Sequence, residues 1–306
     1  MAAQMIEVLR NRGILDNITS EDLAKKMSAG SIRFYVGFDP SANSLHVGSL
    51  AVFNLMRLLQ QAGHRPIALV GGATGMIGDP GGKSEERNLL SKEELMQNTA
   101  ALRKQLERFI DFTGPAGAKI VDNYEWLSKW SYIDFLRDVG KHFSVNQMMQ
   151  RDSVKTRLER DGVGISYTEF SYMLLQAYDY LHLCKTEDCT LQIGGSDQWG
   201  NIVSGIDLNR RLLRRETYGL TIPMVTKADG KKFGKSEGGA IWLDSEKTSP
   251  YQFYQFFLRT EDEDVLALLR RLTDLPLEEI HQFEKSLERE AHLRLPQKRL
   301  AEYLTA

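Results

Sequence analysis

The stretch IRFYVGFDPSANSLHVGSL, residues 32–50, constrains the chain more than any other. An apolar, β-prone run from Ile32 to Val36 enters a tight turn, Gly37 to Asn43, and a helix is expected to open at Leu45. A strand that feeds a helix through Gly, Asp, Pro and Ser leaves unpaired helix N–H groups at the carboxyl edge of a sheet. Free donors and the positive end of the helix dipole face the same point there, and phosphates settle on it. His46 adds a side-chain donor, and Gly48 leaves room for a nucleotide against the backbone. A histidine at a helix start is also commonly a cap, so this stretch alone leaves both readings open.

A second stretch narrows them. Lys232-Phe233-Gly234-Lys235-Ser236 lies in a run, Lys227 to Gly239, with almost no apolar content. Asp-Pro-x5-His-x-Gly early and Lys-x-x-Lys-Ser late resemble the two signatures of class I aminoacyl-tRNA synthetases, His-Ile-Gly-His and Lys-Met-Ser-Lys-Ser. The wider run of FYVGFDPSANSLHVG, GGATGMIGDP, VDNYEW, YTEFSYMLLQAYD, LQIGGSDQWGN and KKFGKSEGGAIWLD is similar to the bacterial-type tyrosyl-tRNA synthetases, from about residue 5 to the C-terminus.

With 306 residues and 42% hydrophobic content, the chain can bury a large core, or one core and a small satellite. Its formal net charge of −2 gives no overall basic field, so contact with RNA must be local or depend on parts outside this chain. Cys184 and Cys189 lack zinc-site spacing even with His182 nearby, so no structural zinc is expected and the thiols read as bystanders. The N-terminus resembles neither a signal peptide nor a membrane span, which favours a cytoplasmic protein without a membrane partner.

Along the chain, helices are expected at Met5–Arg12 and Glu21–Met27, the second capped by Thr19. Leu45–Ala62 (helix, ended by Gly63) and Arg65–Val70 (strand) complete a βαβ unit of a parallel sheet, with ligand at the strands' carboxyl ends. Gly78 to Ser84 is one residue short of a P-loop, whose length is set by backbone geometry, so that reading is rejected. Ser91 caps a helix over Lys92–Phe112, with Glu94 completing the box. A strand at Lys119–Asn123 and helices at Tyr132–Val139 and Val145–Arg160 follow. In the helix Thr168–Leu183, Met173, Leu174, Ala177, Tyr178 and Leu181 form a core stripe. Tyr172, Gln176 and Asp179 line the other side, a set better suited to hydrogen-bonding a small ligand than to a solvent face. Thr190–Ile193 is a strand, and Asp197–Arg215 a helix with Arg210, Arg211, Arg214 and Arg215 as a basic face or an RNA-docking one. After a strand at Leu220–Val225, Ser249 and Pro250 open a helical region that runs to the end.

The resemblance implies a Rossmann-like, doubly wound parallel α/β fold with an inserted helical connective region and a C-terminal helical segment. Residues 1–247 would form the catalytic domain, with the insertion at about 85–190, and 248–306 the start of a helical domain that looks cut. It further implies activation of L-tyrosine by ATP with Mg²⁺, transfer to tRNA(Tyr), and a homodimer built through the insertion, with no bound organic cofactor. His46, Ser41, Lys232, Lys235, Ser236, Lys83 and Arg87 would act on the phosphates. Gly37, Asp39, Gly48, Ser49, Gly195, Asp197 and Lys235 match nucleotide contacts. Tyr35 and Asp179 match the pair that holds the phenolic hydroxyl, and Asp79, Tyr172, Gln176 and Gln198 the groups around the α-ammonium. Two positions depart from the pattern: Ser49 stands where histidine is usual and Val36 where cysteine is frequent. Weaker ribose contact and, in so short a chain, poor tRNA charging are the expectations. A tryptophan-activating relative, a non-catalytic RNA-binding scaffold and a P-loop ATPase are the competing readings.

Overall fold

A computed structural model describes residues 4–80, 90–151, 154–155, 158, 164–226, 233–236 and 239–306. In chain order the elements are α1 (Met5–Asn11), β1 (Asn17–Ile18), α2 (Asp22–Ala29), β2 (Arg33–Phe38), α3 (Leu50–Gln61) and β3 (Arg65–Val70). Next come α4 (Lys92–Leu106), β4 (Lys119–Asp122), α5 (Tyr124–Leu127), α6 (Tyr132–Asp138), α7 (Val145–Met149), α8 (Tyr167–Glu187) and β5 (Cys189–Gly195). The remainder is α9 (Trp199–Leu213), β6 (Tyr218–Ile222), the short pair β7 (Lys235–Ser236) and β8 (Gly239–Ala240), and four helices, α10 (Pro250–Leu258), α11 (Asp262–Leu272), α12 (Leu277–Glu290) and α13 (Leu295–Thr305).

Continuous apolar runs such as RFYVGF and RPIALV suit strands buried on both faces, and they form the middle of a sheet in the order β1-β6-β5-β2-β3-β4. All neighbours from β6 to β4 are parallel, and β1 is an antiparallel edge. The chain leaves β2 toward β3 and β4, then returns on the other side through β5 and β6. That reversal beside β2 is the switch point where ligands bind in doubly wound sheets. The fold class is the one the sequence implied.

Several element bounds differ, for local reasons. The helix expected from Leu45 starts as a 3₁₀ turn, Val47–Ser49, and becomes α-helical only at Leu50, because Leu45 and Val47 exchange backbone hydrogen bonds with Leu243 and Ile241. Ser20, not Thr19, accepts from the N–H of Asp22 at the start of α2, while the Thr19 hydroxyl accepts from Gly219 at the sheet edge. The helix after Ser91 ends at Leu106, with both parts of its capping box in place. The helix from Val145 stops at Met149, and residues 154, 155 and 158 are again helical. The last parallel strand ends at Ile222.

The region about 85–190 is not wholly helical, since it supplies β4 to the sheet beside β3. The four C-terminal helices share one apolar cluster with the sheet and α3: Val265, Leu268, Leu269 and Leu300 are buried together with Leu55, Leu59, Val36 and Ile193. Polar bolts fix the same junction. The buried Arg12 guanidinium donates to the carbonyls of Arg270, Thr273 and Leu275, and the Asn54 amide donates to those of Arg271 and Thr273. The carbonyls of Arg270, Arg271 and Thr273 lie at the end of α11, where no intrahelical donor remains for them, and that of Leu275 lies just beyond it. No described helix is long and apolar enough to cross a membrane.

Candidate functional site

A cavity of about 480 Å³ opens at the switch point. β2 contributes Tyr35 to Phe38 and the following Asp39, β5 contributes Gln192 to Gly195, and α8 contributes Tyr172, Gln176 and Asp179. Ser41, His46, Ser49, Asp79, Asp197, Gln198 and Trp242 complete the walls. The parallel register sets Tyr35 beside Gln192, so two polar side chains on adjacent strands face one place.

The deep end is polar and buried. Asp179 is 2% exposed and accepts from Trp126 Nε1 at 2.7 Å and Asn123 Nδ2 at 2.9 Å. Burial pushes its carboxyl up to about 8, against the pull of those two donors. The Tyr35 hydroxyl and the Gln192 side-chain oxygen are buried without a hydrogen-bond partner among the described residues. Burial, and the nearby Asp179 charge, drive the Tyr35 phenol well above its ordinary value. An orphaned phenol is costly, about 1–3 kcal/mol, unless a ligand completes it.

Toward the mouth the side chains pair in a relay. Gln198 donates to Asp79 at 2.6 Å, Gln176 donates to Gln198 at 3.1 Å, and Asn201 donates to Gln176 at 3.2 Å. Asp39 accepts from Tyr172 at 2.9 Å and from Thr74 at 2.8 Å. Gly71 has no Cβ because one would overlap the Asp39 carboxylate and the Thr74 hydroxyl.

At the helix start, the His46 imidazole caps the turn: its Nδ1 accepts from the N–H of Gly48 at 3.0 Å. In the neutral ring that places the proton on Nε2 and leaves it as the donor. The imidazole also packs close over Gly48, its Cε1 2.6 Å from where an added Cβ would stand. Ser49 lines the cavity and makes no side-chain cap bond to α3.

The lysine motif reaches this wall through its backbone. Gly234, at φ +90°, packs on Val47, Ile241 donates to the Gly234 carbonyl, and Val47 donates to that of Ile241. Trp242 bridges to His46, its ring edge-on to the imidazole at 6.5 Å. Lys235 and Ser236 form β7, paired with β8. Lys232, Lys83 and Arg87 lie outside the described residues.

Other candidates have structural partners. Arg210 pairs with Asp207, Arg211 donates to the His142 carbonyl, and Arg215 holds Asp188 and the Cys184 carbonyl. Cys184 and Cys189 are buried free thiols, His182 stacks on Trp126 at 4.3 Å, and no group of metal-ligating side chains occurs among the described residues.

The family of tRNA synthetases class I (W and Y) matches residues 27–306. The chain belongs to that family. It is 52% identical to a tyrosine--tRNA ligase of Rhodopirellula baltica over 98% of its own length and 69% of that protein. It is 54% identical to a tyrosine--tRNA ligase of Geobacillus stearothermophilus, covering 98% of this chain and 72% of the relative. A C-terminally truncated mitochondrial tyrosyl-tRNA synthetase of Aspergillus nidulans superposes with a TM-score of 0.86 at 29% identity, over 98% of this chain and 88% of that one.

In this class I synthetase, sequence reasoning missed the residues that hold the expected ones: Thr74, Asn123, Trp126, Gln192, Asn201 and Trp242. Asn123 and Trp126 follow directly on β4, at the carboxyl edge of the sheet, which is the signal that could have assigned them.

Proposed function

We propose that the chain is a tyrosine--tRNA ligase, which joins L-tyrosine to ATP as tyrosyl-adenylate and passes the tyrosyl group to tRNA(Tyr). The buried Tyr35 hydroxyl, without a partner among the described residues and in one cavity with Asp179, carries this reading. A phenol entering there accepts from Tyr35 and donates to Asp179. An indole N–H only donates, so tryptophan would leave Tyr35 orphaned, and phenylalanine would leave both groups unpaired. Sites that hydrogen-bond a substrate hydroxyl reject the analogue lacking it by about 10⁴–10⁵-fold, a magnitude already established for tyrosyl-tRNA synthetases themselves.

The Asp79–Gln198–Gln176 relay offers acceptors for the α-ammonium, with Tyr172 held beside it by Asp39. This leaves the substrate carboxylate toward His46. One carboxylate oxygen attacks the α-phosphorus of ATP, a P–O bond forms, and the bond to the β-phosphate bridge breaks with its electron pair on pyrophosphate. No covalent enzyme nucleophile is required, and placement plus donors aimed at the growing charge suffices. The His46 Nε2–H and the Ser41 hydroxyl supply donors on the β2–α3 side, and Lys235, with Lys232, Lys83 and Arg87, supplies positive charge. Mg²⁺ enters with ATP as part of the substrate. A terminal ribose hydroxyl of tRNA then attacks the adenylate carbonyl and releases AMP.

Exposed apolar side chains on the inserted region, including Tyr132, Ile133, Val145, Met149 and Tyr167, support a homodimer through that face. Tyrosine-dependent ATP–pyrophosphate exchange, followed by charging of tRNA(Tyr), tests the proposal. Exchange that requires tyrosine supports it, and exchange driven equally by tryptophan would replace it with the tryptophan reading.

A further inference from the structure

The lysine motif has a rear as well as a front. Behind it lies a second cavity of about 460 Å³, walled by Phe233, Ala240 and Ile241 on one side and by Tyr251, Gln255 and Phe256 of α10 on the other. Phe233 is 8% exposed, packing against Phe256 at 5.3 Å and Phe257 at 6.0 Å between ring centroids. Phe256 and Phe257 also touch each other at 5.1 Å, so the ring enters a preformed aromatic group on α10. Its backbone N–H donates to the carbonyl of Val225 at 3.1 Å. The next residue, Gly234, rests on Val47, one position from the imidazole of His46. A continuous line of packed groups thus joins α10, Phe233, Gly234, Val47 and His46.

We propose that Phe233 is a positioning residue for adenylate formation: held by Phe256 and Phe257, its ring fixes the β7–β8 hairpin against the His46 segment. The inference rests on the tyrosine-activating reading. Open space behind the ring is the reason that its size matters to position and not only to stability. A smaller side chain lets the Phe233–Gly234 pair settle rearward into the cavity, and Gly234 then leaves Val47. Tyrosine itself is held at the far end by Tyr35 and Asp179, so its binding does not depend on that contact. Displacements of about 1 Å in such a constellation cost about 100-fold in rate.

The test compares Phe233→Ala, Phe256→Ala, the double variant and Phe233→Met, which restores volume with an adaptable side chain. Three readouts are taken on the full chain: kcat for tyrosine-dependent pyrophosphate exchange, the tyrosine Kd by intrinsic fluorescence, and the midpoint of urea unfolding. The expected result is a kcat loss of about 100-fold in each alanine variant, with the tyrosine Kd within about twofold of wild type. The double variant should be no slower than the slower single one, because both remove one contact. Phe233→Met should recover most of the rate. A kcat loss that multiplies in the double variant, a tyrosine Kd that worsens in step with kcat, or unchanged kcat in Phe233→Ala overturns the proposal. A wild-type chain without tyrosine-dependent exchange overturns the functional reading and this inference together, whereas an active wild type with an unaffected Phe233→Ala overturns only this one.

Discussion

Gly234 sits on Val47 so tightly that a β-carbon at position 234 would stand 2.7 Å from the valine Cγ2. These residues come from the two signature stretches, which lie far apart along the chain. Their contact brings the second stretch to the helix start at His46. It is made by a residue whose φ of +90° disfavours any side chain.

Substituting Gly234→Ala therefore strains the backbone and pushes against Val47 at once. The expected outcome is a fall in exchange kcat of at least about tenfold with tyrosine affinity retained, since the phenol end is remote. Combining it with Val47→Ala should recover part of the loss by removing the steric share. Steady-state exchange kinetics and a tyrosine binding titration check this. An unchanged kcat would mean that the contact does not serve the reaction.

Tyr35→Phe deletes a buried hydroxyl that has no hydrogen-bond partner among the described residues. Stability of the unliganded chain should hold or rise slightly in urea unfolding, because an unsatisfied buried group disappears. Tyrosine should bind about 3–30-fold more weakly, as one hydrogen bond of about 1 kcal/mol or more is lost, and discrimination against phenylalanine should narrow. A large loss of stability would show that the hydroxyl already has a protein partner.

Asp179 gives a pH dependence with a definite sign. Its carboxyl lies at about 8 in the fold against an ordinary 3.8. Between those values the folded chain holds a proton that the unfolded chain has released, so stability of the unliganded protein falls as pH rises through this window and levels off above about 8. A phenol that donates to the carboxylate favours its ionised form. Tyrosine affinity should therefore increase with pH up to about 8, and binding at neutral pH should release protons. Titration calorimetry in two buffers of different ionisation enthalpy measures that release, and proton uptake would contradict this account.

Ser49 lines the cavity on the side proposed for ATP, and its hydroxyl makes no cap bond to α3. Histidine is usual at this position in the resembled synthetases, and a longer donor there should reach further toward ATP. Ser49→His is expected to lower the KM for ATP several-fold while leaving the KM for tyrosine unchanged. Exchange kinetics with each substrate varied in turn provide the measurement, and an unaltered ATP KM rejects the ribose-side role.

How much of this was legible before the structure depended on the range of the forces involved. β2 and β3 were readable because strands buried on both faces are continuous apolar runs. The Ser91–Glu94 box and the Ser249 cap before Pro250 were readable because capping is local. The pocket side of α8 was readable from Tyr172, Gln176 and Asp179 as a face poor in lysine and glutamate. The start of α3 was not, since Val47 is drawn into pairing with Ile241, a partner that no local pattern reveals. The same holds for Asn123 and Trp126, whose grip on Asp179 spans the sheet, and for Thr19, whose hydroxyl serves Gly219 instead of α2. Spacing could suggest that His46 and Gly48 belong together. It could not show that the imidazole itself fills the space above the glycine.

The central claim is that one cavity selects a phenol by completing Tyr35 and Asp179 while presenting the amino acid to ATP. The ratio of kcat/KM for tyrosine to that for phenylalanine in ATP–pyrophosphate exchange tests it most directly. The wild-type chain should show the ratio of about 10⁴ or more already established for tyrosyl-tRNA synthetases, and Tyr35→Phe should collapse it by about tenfold or more. A ratio near one in the wild-type chain would contradict the claim.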